Sequence, residues 1–152
     1  MFAQVPVVRP HAAMVDAARN HLQRVLASAA FARSRRHCGL LSYLLEQALR
    51  RPGAASKEAV IAVEVFGREA SEYDARLDPI VRIEAGRLRR RLRDYYAGYG
   101  DGASIRFDVP PGAYALILSM RPAAAPIGMP AFSAVAGRVS EMHTLRPAAN
   151  QD

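Results

Sequence analysis

Apolar residues along the first half of the chain recur with helical spacing. Val15, Ala18, Leu22, Val25, Leu26 and Ala29 fall three and four apart, which predicts a helix over 15–29 with one buried stripe. Ser28 to Ser34 makes a short connection in which Phe31 is placed to plug a core. A second helix is predicted from about Ser34 to Arg50. Its stripe of Leu40, Leu41, Leu44, Leu45, Ala48 and Leu49 is wide, so it should be the most buried helix. Arg51-Pro52-Gly53 breaks it. Ser56 can cap a third helix that carries Glu58 in its first turn. Ala59, Val60, Val63 and Phe66 are its predicted inner face, and Gly67 its stop. Arg68 to Leu77 is polar and irregular.

The next stretch organises the rest. Asp78-Pro79 is a helix start, since Asp can accept the free N–H groups and Pro fits the first turn. Val81, Ala85, Leu88, Leu92 and Tyr95 then form one apolar face. Arg82, Arg87, Arg90 and Arg93 occupy the opposite face, with Arg89 and Arg91 on its flanks. A helix that is merely solvated by its charges mixes both signs at i, i+4; here only Glu84 and Asp94 stand against the arginines. Gly86 lies on the basic face, where it costs about 1 kcal/mol relative to Ala. Two reasons would justify it: close approach of a phosphate backbone, or crowding by a neighbouring helix.

After this helix the period changes to two. Gly98-Tyr99-Gly100-Asp101-Gly102 ends the helix; no strand precedes it and no Lys-Ser/Thr follows, so it is not a nucleotide-binding loop. Ile105, Phe107 and Val109 alternate with Ser104, Arg106 and Asp108, a half-buried strand. Pro110-Pro111-Gly112 suits the centre of a type II turn, and Tyr114 to Met120 reads as a second strand. A lone hairpin is marginal, so it should pack on the helices. From Arg121 onward Pro and Ala dominate, which predicts a flexible tail; a short helix through Phe132, Val135, Val139 and Met142 is the alternative there. The expected layout is α+β: a flexible segment over 1–13, a domain of three to four helices and a C-terminal hairpin over 14–120, and a mostly disordered tail over 121–152.

Charge narrows the partner. The formal net charge of +7 favours an acidic one. Nearly all the basic residues are arginine, with Lys57 the single lysine, and arginine makes bidentate contacts to phosphate and guanine. Arg33, Arg35 and Arg36 add a basic start to the second helix, either a solvated helix end or a phosphate contact. Cys38 is the single cysteine, which excludes an intrachain disulfide framework or a cysteine-based zinc site; it reads as a buried structural thiol. His11, His21, His37 and His143 are scattered, without a second metal ligand at helical spacing. Glu69 and Glu72 lie in a polar loop, and no serine sits in a nucleophile elbow. The sequence therefore predicts no enzyme, no metal site and no cofactor. No apolar run reaches the roughly 18 residues of a membrane span, and Met1 to Pro10 lacks the pattern of a signal peptide; a cytoplasmic, nucleoid-associated protein is expected.

The order of helices, basic helix and hairpin resembles a winged helix. Arg87-Leu88-Arg89-Arg90-Arg91-Leu92, followed by a hairpin closing on Gly112-Ala113-Tyr114, is similar to the C-terminal DNA-binding domain of OmpR/PhoB-type response regulators. A longer resemblance spans roughly Ala18 to Leu118. Glu64-Val65-Phe66-Gly67-Arg68, Tyr73-Asp74-Ala75-Arg76-Leu77-Asp78-Pro79-Ile80-Val81-Arg82, Ala85-Gly86-Arg87-Leu88-Arg89-Arg90 and Pro110-Pro111-Gly112-Ala113-Tyr114 look like a bacterial winged-helix module. That module is often found N-terminal to tetratricopeptide-repeat or cyclase-like regions. The resemblance implies a winged helix-turn-helix transcription regulator with its basic helix in the major groove of double-stranded DNA. Arg82, Arg87, Arg89, Arg90 and Arg93 would contact bases or phosphates, and Arg106 on the hairpin would contact the backbone. One small reading surface predicts a homodimer or paired binding on repeated half-sites. The rival expectation is a protein-interaction adaptor without sequence-specific DNA binding, docking a protein partner through this helix or the tail. It draws on a hairpin tip without Arg or Lys and on the 132–142 segment.

Overall fold

The computed structural model describes residues 11–98 and 102–120. Residues 1–10 of the predicted 1–13 lead-in, part of the glycine-rich run, the tail and its 132–142 helix lie outside the described residues; Ala12 and Ala13, the last of that lead-in, already belong to the first helix. The described chain is α+β, with four helices and one two-stranded antiparallel sheet.

Helix α1 covers Ala12–Ala27 and buries Ala18, His21, Leu22 and Val25. It ends earlier than the apolar spacing predicts, because the Ser28 hydroxyl turns back to donate to Val25 O (2.6 Å) and the chain leaves in an extended conformation. Phe31 follows and is fully buried, as expected. Helix α2, Arg35–Arg50, buries His37, Leu40, Leu41, Leu44 and Leu45, while Ala48 and Leu49 are half-buried. It exposes the smallest share of its residues, four of 16 against nine of 19 in α4, although α4 places seven residues fully inside against its five.

Helix α3 is short, Glu58–Glu64, and its inner face differs from the expected one. Ile61 and Ala62 are buried; Val60 is 39% exposed, Ala59 is exposed, and Val63 and Phe66 are half-buried. Fewer than two turns give too few apolar positions to fix the phase of the stripe. The cap residue is Lys57 rather than Ser56. Ser56 instead donates its backbone N–H to Tyr114 O (2.8 Å), tying the start of α3 to the hairpin. Gly67, at φ +64, stops the segment in the left-handed region, as the sequence predicts.

The 68–77 connection folds into turns around Asp74 and Asp78. Asp74 accepts the Arg76 backbone N–H (2.8 Å). Asp78 accepts the Ile80 N–H (3.1 Å) and caps helix α4, Ile80–Gly98. The apolar face of α4 is the predicted one: Val81, Ala85, Leu88, Leu92 and Tyr95 are all buried, with Tyr96 beside them. They join the leucines of α2, the inner residues of α1 and α3, and Ile105, Phe107, Val109 and Leu116 of the hairpin in one core.

Strands β1 (Ile105–Asp108) and β2 (Ile117–Met120) pair with Phe107 opposite Leu118. Gly112 takes φ +80 in the Pro110–Ala113 turn, the conformation that the third position of a type II turn requires. The ladder is shorter than predicted at the Tyr114 end. Pro110 and Pro111 have no N–H to donate, and the carbonyls of Val109, Pro110, Ala113 and Tyr114 are taken by other partners.

Candidate nucleic-acid interface

The six arginines of α4 divide by position around the helix. The two on the flanks point at carbonyl groups. Arg89 donates to Val109 O (2.9 Å) and Pro110 O (3.0 Å), with Ala113 O at 3.4 Å, and so clasps the long hairpin turn. Arg91, on the other flank, donates to Ala30 O and lies 6.0 Å from the Phe31 ring centroid, holding the α1–α2 connection. Both are half-buried. A planar fork with several donors suits this task.

Between these flanks lies the outward arc. Arg82 is exposed but held at the helix start: its guanidinium donates to Ala75 O (2.7 Å) and lies 3.6 Å from Glu58 Oε1. Arg87 donates to Glu84 Oε1 (2.9 Å) one turn back. Arg90 and Arg93 are exposed and have no partner among the described residues. Gly86, one turn before Arg90, lies in open space; a Cβ there would meet nothing within 4 Å. This removes crowding by a neighbouring helix as the reason for the glycine. Arg106, on the outer face of β1, stacks over the Tyr96 ring at 4.5 Å from its centroid and is exposed.

In the sequence Glu84 is one of two acidic residues set against the arginines of this helix, with nothing to mark it as inward. Its side chain is instead 5% exposed, at the edge of α4 that faces α2. Glu84 Oε2 lies 2.9 Å from His37 Nε2. The Ser34 hydroxyl reaches His37 Nδ1 from the other side. Burial holds His37 below its ordinary pKa, and Glu84 opposes that shift. Arg36 NH1 approaches Glu84 Oε1 at 3.9 Å. This cluster floors a depression of about 560 Å³ rimmed by Arg33, Arg35, Arg36 and Arg87. A second depression of about 380 Å³ shares His37 and Arg87 with it and extends to Arg90 and Arg91, with Asp94 at its edge. The basic start of α2 and the arc of α4 are therefore one continuous basic surface. Spacing along the chain carries no signal for this junction, because His37 and Glu84 are joined only by the packing of two helices.

Cys38 is half-buried with its thiol directed at Phe31 O (3.4 Å), and burial raises its pKa. Among the described residues, no helix is long and apolar enough to cross a membrane, and no group of three His, Cys, Asp or Glu side chains could hold a metal ion. No family model, curated protein or solved structure matches the chain.

Proposed function

We propose that this chain is a winged helix-turn-helix regulator that binds double-stranded DNA, with α3 and α4 as the helix pair, α4 in the major groove and the hairpin as the wing. The observation that carries the reading is the outward arc of α4. Arg90 and Arg93 lie exposed and without a partner among the described residues, one and two turns beyond a bare Gly86. The arc joins Arg33, Arg35 and Arg36 at the start of α2. An unpaired guanidinium can address guanine O6 and N7 or a phosphate. A glycine without a neighbour lets a backbone or base edge come close to the helix. Arg106 is placed to meet a phosphate beside the groove. Arg89, which the resemblance assigns to DNA, supports the interface from behind by fixing the hairpin turn.

Affinity would come mainly from phosphate contacts and counterion release, and specificity from one to three arginines worth about 1–3 kcal/mol each. So few base contacts favour a dimer or paired binding. The test selects bound fragments from sheared genomic DNA and then measures affinity across a salt series for wild type, Arg90→Ala and Arg93→Ala. An enriched motif whose binding falls in both variants supports the reading. Weak binding to every fragment, with the variants unchanged, defeats it. A stoichiometric protein partner retained after nuclease treatment would then favour the adaptor reading, for which Val60, Leu77 and Ile83 offer exposed apolar contacts beside α4.

A further inference from the structure

A carboxylate beneath a DNA-binding face lowers the attraction between that face and phosphate. Glu84 therefore needs an account beyond charge. It is buried, yet each of its oxygens touches a group of the basic surface or its floor: Arg87 at 2.9 Å and Arg36 at 3.9 Å on Oε1, His37 at 2.9 Å on Oε2. Arg87 and Arg36 come from different helices and remain 61% and 68% exposed. A carboxylate occupies one corner of a guanidinium, so the remaining N–H donors of both arginines stay available. Arginine side chains carry a large rotamer entropy, and a free one must lose much of it when it reads a base. Arg90 and Arg93 have no such anchor among the described residues.

We propose that Glu84 is a positioning residue: its buried carboxylate presets Arg87, and with it Arg36, as a paired contact across α4 and α2 for one strand of a DNA duplex. This rests on the DNA reading above and adds a division of labour to it. Arg87 enters the complex already ordered and contributes discrimination. Arg90 and Arg93 enter mobile.

The test uses the full chain and two duplexes, the best selected fragment and a scrambled one of equal length, with wild type, Glu84→Gln, Arg87→Ala and the double variant. The ratio of the two affinities is the readout. Glu84→Gln should lower that ratio about tenfold while binding to scrambled DNA holds or rises, since a negative charge has gone. The two losses should not add: the double variant should lose less of the ratio than the sum of the single variants, because Glu84 acts through Arg87 and Arg36. A ratio unchanged in Glu84→Gln, or both affinities rising together, overturns the inference alone and leaves Glu84 as a diluting charge. A wild-type chain with no preference between the duplexes overturns the DNA reading and this inference together. If Glu84→Gln does not fold, nitrogen-15 relaxation of the arginine Nε–H groups in the DNA-free wild type decides. Arg87 should be markedly more ordered than Arg90 and Arg93; equal mobility overturns the proposal.

Discussion

Acidification should destabilise this protein through one buried ring. His21 lies fully inside the core on α1. Its Nε2 is 2.9 Å from the Tyr96 hydroxyl, which also accepts the Phe107 backbone N–H at 2.7 Å. The Phe107 ring meets the imidazole edge to face at 4.8 Å between centroids. Burial, helped by the nearby Arg24 guanidinium, pushes His21 from 6.5 down to about 4. Between those values the unfolded chain takes up a proton that the folded chain refuses. The stabilising contribution is therefore complete above pH 6.5 and is lost as pH falls through 4. At 1.36 kcal/mol per unit the full loss is roughly 3 kcal/mol, of which about 2 kcal/mol has gone by pH 5. Urea melts followed by circular dichroism at about pH 7.5 and pH 5 measure it, with His21→Gln as the reference that cannot titrate. The variant should be less stable at pH 7.5 and should lose about 2 kcal/mol less than wild type on acidification. The difference isolates His21 from other groups, including His37, whose lowered pKa acts in the same direction. Equal losses in the two proteins would refute the argument.

Other substitutions separate the roles of the α4 residues. Leu88→Ala should cost roughly 2–5 kcal/mol in a urea melt, because Leu88 is fully buried, whereas Arg90→Ala should leave the melt nearly unchanged. Gly86→Ala should raise stability by about 0.5–1 kcal/mol, since the new methyl group meets nothing. The same change should weaken DNA binding in a fluorescence anisotropy titration if the duplex approaches this point closely. Tyr96→Phe should cost about 1–3 kcal/mol by stranding the Phe107 N–H in the core.

Repeating patterns made much of this legible in the sequence. The stripe of Val81, Ala85, Leu88, Leu92 and Tyr95 spans several turns, enough to fix its phase, and all five are buried. Asp78 and Gly112 carry local backbone chemistry that needs no tertiary partner, and both behave as that chemistry dictates. Short elements were less legible. In α3 the choice between Ile61 and Val60 depends on which neighbour is met, and seven residues do not encode it. Charged residues were least legible of all. Periodicity sets Arg89 on a flank and Arg93 on the outer face, but it does not reveal that Arg89 is spent on hairpin carbonyls while Arg93 has no partner among the described residues. Nor does it reveal that Glu84 turns inward to a histidine 47 positions away in the chain.

The manner in which the hairpin is held has a consequence for its motion. Its ladder pairs four residues with four, too few for a hairpin to persist by itself in water. Its long turn is closed by Arg89, and the Phe107 amide by Tyr96, both from α4. The hairpin therefore cannot stay closed when α4 leaves the core, nor open alone without stranding Arg89. Amide hydrogen exchange should register this as a single cooperative unit: Phe107 should exchange in step with the inner amides of α4 around Leu88 and Leu92. A hairpin and helix that open only together present both their outer faces to a partner, or neither.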